Sequence, residues 1–251
     1  MTDETTSGEL SVDELLAQRF GDRTVQENLQ AAIDAGRLVE SADGRLSMPR
    51  GRGTSRWVFV PNRPYLPCGF LTKVLFEAAY AETAVPHGCS ACYKIKVKAG
   101  TLRELVAAWQ VAKSIDCLSK WGVDLDNPHS QDVYAGYFYP GDLDAARVLH
   151  KVVREAMDAD PKLGPGVKMT IKRGCSQFEV AVGPSDSYSF TPDMAELEAH
   201  LRTRFDGPAI SETTMPQLRQ WIDLAFRMGD DTYLDFTGSK RLRPATLTYE
   251  P

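Results

Sequence analysis

The sequence lacks the features of a membrane protein and of the common enzyme classes. No stretch approaches the ~18 consecutive apolar residues that a membrane span needs. The polar, acidic residues 1–8 do not resemble a signal or transit peptide, so a cytoplasmic protein without a membrane partner is expected. No Ser-His-Asp signature, phosphate loop or Gly-x-Gly-x-x-Gly fingerprint is present, and no reaction class follows from a motif.

An excess of positive charge is also missing. The 251 residues carry a net charge of −5, and 25% of them are charged while 43% are hydrophobic. A protein of this ordinary globular composition does not attract nucleic acid over its whole surface, although a local basic patch is compatible with it. The length allows one large domain, or a medium domain with a small appendage.

Cysteine is scarce and unevenly placed. All five cysteines lie between positions 68 and 175, and the two flanks of the chain have none. In a reducing cytoplasm, such clustering favours metal binding or redox chemistry over structural disulfides.

The strongest motif is a Cys-x-x-Cys knuckle, residues 86–93. Cys89 and Cys92 are three positions apart, so on a turn both thiols point the same way and one metal centre can bind both. Small residues around and between them let backbone N–H groups approach the sulfur atoms. The alternative is two buried cysteines beside a strand, because cysteine is often simply core material.

Two isolated cysteines are the preferred partners of the knuckle. Cys68, between a proline and a glycine, and Cys175, in a Gly-Cys turn, occupy irregular backbone at the ends of elements, where ligands usually lie. Cys117 lies at the edge of a helical apolar stripe and is the reserve ligand, because a small core residue explains it equally well. His87 adjoins the knuckle and His129 lies in a polar loop; either could face the site.

An iron–sulfur cluster, taken as 4Fe-4S and bound by Cys68, Cys89, Cys92 and Cys175, is favoured over a zinc ion. Structural zinc sites usually take their ligands from two compact knuckles, whereas cluster proteins also use dispersed cysteines. Neither ferredoxin spacing nor the Cys-x3-Cys-x2-Cys run of radical-SAM enzymes is present. Three thiolates would leave one iron open as a Lewis acid, whereas four imply electron transfer or a structural role.

The pattern of capping residues, turns and apolar periodicity divides the chain into three segments. Residues 1–50 carry two capped helices and an Asp-Gly hairpin, an appendage that resembles the end of a winged-helix unit. Residues 51–207 form an α/β domain that contains every cysteine. Residues 208–251 form a helix and a tail that pack on this domain.

The order of elements within residues 92–205 is strand, helix, strand, helix, strand, strand, helix, with residues 178–182 as the last strand. This order resembles the thioredoxin-like topology, with a ferredoxin-like arrangement as the near alternative, and both are α/β sandwiches. The thioredoxin family places its Cys-x-x-Cys after the first strand, at the start of the first helix. Here Cys89 and Cys92 precede the strand, which argues against a dithiol oxidoreductase.

Lysines form a second constellation on two strands that either fold makes neighbours. Lys94, Lys96 and Lys98 share one strand face, Lys168 and Lys172 share another, and Arg173 lies at the rim. Such a face could hold a phosphate, a carboxylate or nucleic acid. The alternative is a solvated edge, where lysine discourages aggregation.

These observations support three functional hypotheses. The leading one is an iron–sulfur protein that performs redox or Lewis-acid chemistry on a small anionic substrate or with a redox partner. The alternative is a zinc-stabilised module that binds nucleic acid or another protein. The third is an interaction domain without a metal.

Overall fold

The computed structural model describes residues 10–49, 57–60, 67–125, 132–206 and 215–243. Within these ranges the chain mixes helices with several sheets, which agrees with the predicted α/β class. His129 lies outside the described residues. No helix in these ranges is both long and apolar enough to cross a lipid bilayer.

The elements follow in chain order. The described α-helices are α1 (Val12–Ala17), α2 (Val25–Asp34), α3 (Leu102–Ala112), α4 (Leu143–Ala159), α5 (Ser176–Ala181), α6 (Pro192–Thr203) and α7 (Met215–Met228). The strands are β1 (Arg19–Phe20), β2 (Arg23–Thr24), β3 (Val39–Glu40), β4 (Leu46–Ser47), β5 (Trp57–Val60), β6 (Tyr93–Ala99), β7 (Ser119–Val123), β8 (Tyr134–Phe138), β9 (Lys168–Arg173) and β10 (Phe205–Asp206). A π-helix spans Phe70–Ala79, and 3₁₀ turns span His87–Cys89, Gly164–Gly166 and Asp231–Phe236.

The chain divides into two compact units that are interleaved along the sequence. The first unit takes Met1–Arg52, Leu66–Cys92 and Arg173–Ile210, and the second takes Gly53–Tyr65, Tyr93–Lys172 and Ser211–Pro251. Four of the five cysteines belong to the first unit, and Cys117 belongs to the second. The three consecutive segments inferred from the sequence stay a prediction.

Local sequence explains how the first unit begins. Ser11 caps α1, accepting a hydrogen bond from the Glu14 N–H, while the Glu14 carboxylate accepts one from the Ser11 N–H at 2.9 Å. Thr24 and Glu27 make the same reciprocal pair at α2. These capping boxes satisfy N–H groups that the start of a helix leaves without an intrahelical partner. Both helix starts are as the sequence predicts.

The hairpin of the first unit is also as predicted. β3 and β4 pair antiparallel around a turn in which Gly44 has φ +77°, a conformation that glycine adopts without a steric penalty. β4 pairs in parallel with β10 on its other side, which makes a three-stranded sheet. Apolar side chains of α1, α2, the π-helix and α6 form the core of this unit.

The second unit is organised around a five-stranded sheet with the order β5-β7-β8-β6-β9. The β5-β7, β7-β8 and β8-β6 pairs are antiparallel. Gly136 on β8 lies opposite Trp121 on β7, and a Cβ atom at Gly136 would lie only 2.1 Å from the indole ring. The missing side chain therefore makes room for the ring, which packs edge-on against Phe138 at 5.6 Å between centroids.

The core of the second unit follows from the period-two pattern of its strands. Ile95 and Val97 of β6 point into the core, where side chains of α3, α4 and α7 pack against the sheet. The alternating lysines of β6 consequently lie on the opposite face. Strand β6 leads into helix α3, whose N-cap residue Thr101 accepts a hydrogen bond from the Glu104 N–H at 3.2 Å.

Two local predictions are wrong. Residues 178–182 do not form a strand: the chain forms helix α5 at Ser176–Ala181. Phe178, Val180 and Val182 alternate with other residues as a strand would, but Phe178 is buried while Val180 is 68% exposed, which a short surface helix allows. Strand β7 is not predicted at all, yet it lies inside the sheet between β5 and β8.

Candidate metal centre

The knuckle is a series of tight backbone turns. The Cys89 N–H donates to the Pro86 carbonyl at 2.8 Å, and the Ser90 N–H donates to the His87 carbonyl at 2.8 Å. The Cys92 N–H then donates to the Cys89 carbonyl at 3.0 Å. The chain is thus curled on itself over residues 86–92, and both thiols lie on the same compact turn.

A buried carboxylate holds the start of the knuckle. Glu198 of α6 is only 7% exposed, and its Oε1 accepts hydrogen bonds from the His87 N–H at 2.5 Å and from the Tyr80 hydroxyl at 2.8 Å. Its Oε2 accepts from the Gly88 N–H at 2.8 Å. A side chain at Gly88 would meet Leu71 at 2.8 Å, so the backbone can approach the carboxylate only because this residue is glycine. These charge-assisted bonds fix the turn.

An arginine holds the middle of the knuckle. The Nε and Nη2 atoms of Arg173 donate to the Ser90 carbonyl at 3.1 and 2.7 Å, and Nη1 donates to the Ser185 carbonyl at 3.0 Å. The guanidinium also lies over the ring of Phe190, 5.3 Å from its centroid. The sequence predicts Arg173 at the rim of an anion-binding face. In the structure, the N–H groups of its planar guanidinium donate to two backbone carbonyls.

The turn after Arg173 brings Cys175 beside the knuckle. The Gly174 N–H donates to the Cys92 carbonyl at 2.9 Å, and Gly174 has φ +64°, where a β-carbon would be strained. A Cβ atom there would also lie 3.4 Å from Phe178 and 3.5 Å from Tyr188. Cys175 follows as the N-cap residue of α5. Cys92 and Cys175 are far apart in sequence. The hydrogen bond from Gly174, which is linked directly to Cys175, brings their backbone segments together.

Cys68 reaches the site from a third segment. It lies just before the π-helix, where the Leu71 N–H donates to the Pro67 carbonyl at 3.0 Å, and it is half-buried. This is the position before a helix start that the sequence predicts.

The four thiols act on one another electrostatically. Cys89 is 5% exposed; burial raises the pKa of its thiol, and the proximity of Cys92, Cys175 and Cys68 raises it further, followed by that of Glu198. Thiols from three separate chain segments thus lie near one another. We name Cys68, Cys89, Cys92 and Cys175 the cysteine site; it is the set preferred from the sequence.

The spacing of these donors bears on what could bind them. Among the described residues, no three His, Cys, Asp or Glu side chains are placed to hold a single metal ion. Four thiolates around one zinc, each ~2.3 Å from the metal, stand only ~3.8 Å apart. Thiolates of a cluster bind different iron atoms and stand further apart. Four thiols are the donor type and number that a 4Fe-4S cluster uses.

An apolar wall surrounds the cysteine site. Cys89 packs with Phe76, Val85 and Phe178, and Cys92 and Cys175 pack at the edge of the same group. Such a wall limits water and strengthens electrostatic interactions within the site. It agrees with the burial that raises the Cys89 pKa.

Two polar atoms near Cys175 are enclosed without a partner. The hydroxyl of Tyr188 and the Nε2 atom of Gln177 are shielded from solvent and make no hydrogen bond to any described residue. Burial raises the pKa of Tyr188 to about 12, with contributions from the charges of Glu179 and Cys175 that Arg173 partly offsets. Both atoms are hydrogen-bond donors, and buried polar atoms are rarely left unpaired in proteins.

The predicted lysine face of the second unit is less open than expected. Lys94 is only 6% exposed, and its ammonium lies 5.3 Å from the centroid of the Tyr137 ring. Lys96 and Lys98 both form ion pairs with Asp132, at 2.7 Å for Lys98. Burial alone would raise the pKa of Asp132, but hydrogen bonds from these two lysines hold it below its ordinary value.

The other predicted lysines lie on a neighbouring strand. β9 is next to β6 in the sheet, as both candidate folds require. Met169 and Ile171 pack against the core, so Lys168 and Lys172 lie on the opposite face; Lys168 is exposed and Lys172 is half-buried.

The reserve ligand Cys117 lies in the core of the second unit. It is 3% exposed, belongs to the same apolar core as Trp121, and donates from Sγ to the Leu118 carbonyl at 3.5 Å. This is the core position that the sequence offered as its alternative. His87 forms part of the knuckle, with its ring edge-on to Phe190 at 6.1 Å.

Glu198 is the main residue that the sequence reasoning missed. Met194, Leu197 and Leu201 form the buried stripe of α6 at helical spacing, and Glu198 occupies a position within that stripe. A carboxylate on the buried face of a helix needs hydrogen-bond donors, and that was the available signal. Tyr188 gave no such signal, because nothing in its local sequence distinguishes it from an ordinary loop tyrosine.

Comparison with known proteins identifies no protein similar to this chain. No family model matches the chain, and neither the curated proteins nor the solved structures searched include a match.

Proposed function

We propose that this chain is an iron–sulfur protein in which Cys68, Cys89, Cys92 and Cys175 bind a 4Fe-4S cluster that carries electrons. One observation supports the proposal above all: Cys89, Cys92 and Cys175 pack in one group, and the Gly174 N–H next to Cys175 donates to the Cys92 carbonyl at 2.9 Å. Dispersed cysteine thiolates are a common ligand set of such clusters. Because four thiolates leave no iron open, electron transfer is favoured over Lewis-acid catalysis.

The residues around the cysteine site suit this role. Glu198 and Arg173 hold the knuckle through its backbone, so the two thiols need little rearrangement to bind a metal centre. The apolar wall and the enclosed donors near Cys175 provide the burial and the hydrogen bonds that set the potential of a cluster. A reducing cytoplasm, which keeps cysteines available as thiolates, is the compartment that the proposal requires.

The fold proposal concerns the second unit. Its elements run strand, helix, strand, strand, helix, strand from β6 to β9, and these four strands lie in the order β7-β8-β6-β9. This order supports a ferredoxin-like arrangement with β5 added at one edge. It offers less support for a thioredoxin-like topology, because the final hairpin that such a topology needs is replaced by helix α5.

The small anionic substrate or redox partner also remains part of the proposal. It is supported by the exposed Lys168 and by the half-buried Lys172 on the same strand face. Pyrophosphate and a short single-stranded oligonucleotide are suitable probes, and either should bind more weakly as salt is raised. Replacing Lys168 by Glu should weaken binding, whereas salt-insensitive binding would remove the lysines from the proposal.

The deciding experiment is anaerobic purification followed by absorption spectroscopy and by iron, sulfide and zinc analysis. We expect brown protein with broad absorbance near ~400 nm and about four iron and four sulfide atoms per chain. Stoichiometric zinc without iron would overturn the proposal in favour of a zinc-stabilised module that binds nucleic acid or a protein. Protein without either metal would favour an interaction domain.

A further inference from the structure

The hydroxyl of Tyr188 is an unpaired donor at the cysteine site. Its oxygen has essentially no solvent-accessible surface, and no described residue accepts its hydrogen. A buried hydroxyl without a partner costs about 1–3 kcal/mol, so a folded protein rarely keeps one without a use.

The position of the phenol is set by its neighbours. A Cβ atom at Gly174 would lie 3.5 Å from the Tyr188 ring and 4.0 Å from its oxygen, so the ring covers the turn that leads into Cys175. On its other side the ring packs edge-on against Phe190, at 6.4 Å between centroids, and Phe190 in turn lies under the Arg173 guanidinium. The hydroxyl is thereby held next to the Cys175 segment rather than free to turn towards solvent.

The neighbours of the hydroxyl place it beside the cysteine site. The ring lies against Gly174, the residue before Cys175. Burial raises the pKa of Tyr188, Cys175 and Cys89 are among the groups that raise it further, and Arg173 lowers it. A phenol with an ordinary pKa near 10 keeps its proton at neutral pH and is therefore a donor there. Sulfur atoms of a thiolate-bound cluster are negatively charged acceptors and accept such hydrogen bonds.

We propose that Tyr188 donates a hydrogen bond to a sulfur atom on the Cys175 side of the bound cluster and so raises its reduction potential. The inference rests on the proposed function and specifies how this chain regulates that same site. Tyr188 is a positioning residue: it touches no substrate and supplies no ligand. A hydrogen bond of this kind stabilises the more negative, reduced form more than the oxidised form.

The test replaces the hydroxyl without removing the ring. Tyr188→Phe should still bind iron and sulfide in wild-type amounts, but its cluster should be about tenfold harder to reduce. For one electron, that factor lowers the midpoint potential by about 59 mV. Tyr134→Phe is the matched control, because it removes a buried hydroxyl that donates to Asp230 in the second unit, and it should leave the potential unchanged.

A second substitution covers the case in which Tyr188→Phe does not fold. A 3-fluorotyrosine incorporated at position 188 keeps the shape and makes the hydroxyl a stronger donor, so the potential should rise. A purely structural role for Tyr188 would leave the potential unmoved in both proteins. Cluster-loaded variants with wild-type potentials would overturn this inference alone, whereas wild-type protein that contains no iron and sulfide would overturn the proposed function with it.

Discussion

The two units use cysteine in opposite ways. In the first unit, four cysteines lie on turns and helix starts, and the knuckle among them is held by hydrogen bonds that Glu198 accepts and that Arg173 donates. In the second unit, Cys117 lies in a sheet core among aliphatic and aromatic side chains, and its Sγ donates to the Leu118 carbonyl. The difference teaches that the surrounding backbone decides whether a thiol fills space or is presented to a ligand.

The largest expected effect tests this contrast directly. Cys89→Ser should reduce the iron content from about four atoms per chain to nearly none, because a central ligand of the proposed cluster is lost. Cys117→Ser should keep full iron content, at some cost in stability, since it changes only the core of the second unit. Metal analysis of the two variants purified in parallel is the measurement. Equal iron loss in both variants would show that the cysteines of the two units do not differ in this way.

The next largest effect is expected on stability, from a substitution that disturbs the packing of the second unit. Gly136→Ala places a methyl group against the Trp121 ring, 2.1 Å away before any relaxation, and should lower the free energy of unfolding by about 3 kcal/mol or more. Gly166→Ala is the control, because nothing lies within 4 Å of its Cβ position. Urea denaturation followed by tryptophan fluorescence measures both. A Gly136→Ala protein as stable as the control would contradict the packing described for β7 and β8.

A smaller effect is expected at the polar support of the first unit. Glu198→Gln removes the charge that strengthens three hydrogen bonds and turns one acceptor into a donor. The free energy of unfolding should therefore fall by about 2 kcal/mol. The cluster should also bleach faster in air. Glu196→Gln, two residues earlier on α6 with one long contact at 3.3 Å, should change little. Matched stability and bleaching rates in the two variants would mean that Glu198 does not hold the knuckle.

The smallest effect concerns the lysines of the second unit and depends on pH. Asp132 has a pKa below its ordinary value in the folded protein, so its ion pairs contribute stability above the unfolded pKa of about 3.9 and lose it as pH falls through the lower, folded value. Asp132→Asn should therefore cost about 1 kcal/mol at pH 7 and almost nothing near pH 2. Denaturation at the two pH values tests the sign; a penalty that grows in acid would contradict it.

The four cysteines of the proposed site could be chosen from the sequence, but the residues that hold the knuckle could not. Cys68 and Cys175 could be chosen because irregular backbone at element ends is visible as Pro and Gly neighbours, whereas Cys117 follows a helical stripe. Glu198 could not be chosen, because its hydrogen-bond partners are 110 to 118 positions away and the pairing exists only in the fold. Long-range contacts of this kind produce no local periodicity in the sequence from which they could be predicted.

The fold shows the same limit. Capped helices at Ser11, Thr24 and Thr101 follow from short-range hydrogen bonds and were predictable. Helix α5 was not, because residues 178–182 alternate like a strand and burial alone decides between the two. The interleaving of the units is invisible locally, since it depends on which segments pack together.

That interleaving has a consequence for biosynthesis. Cys68 and the knuckle leave the ribosome first, but the segment that carries Cys175 and Glu198 follows only after Tyr93–Lys172 has been translated. A nascent chain halted before that point presents three thiols of the cysteine site without the carboxylate of Glu198 and the guanidinium of Arg173. The first unit can therefore be completed only after most of the chain has been translated, and the second unit needs the still later segment Ser211–Pro251.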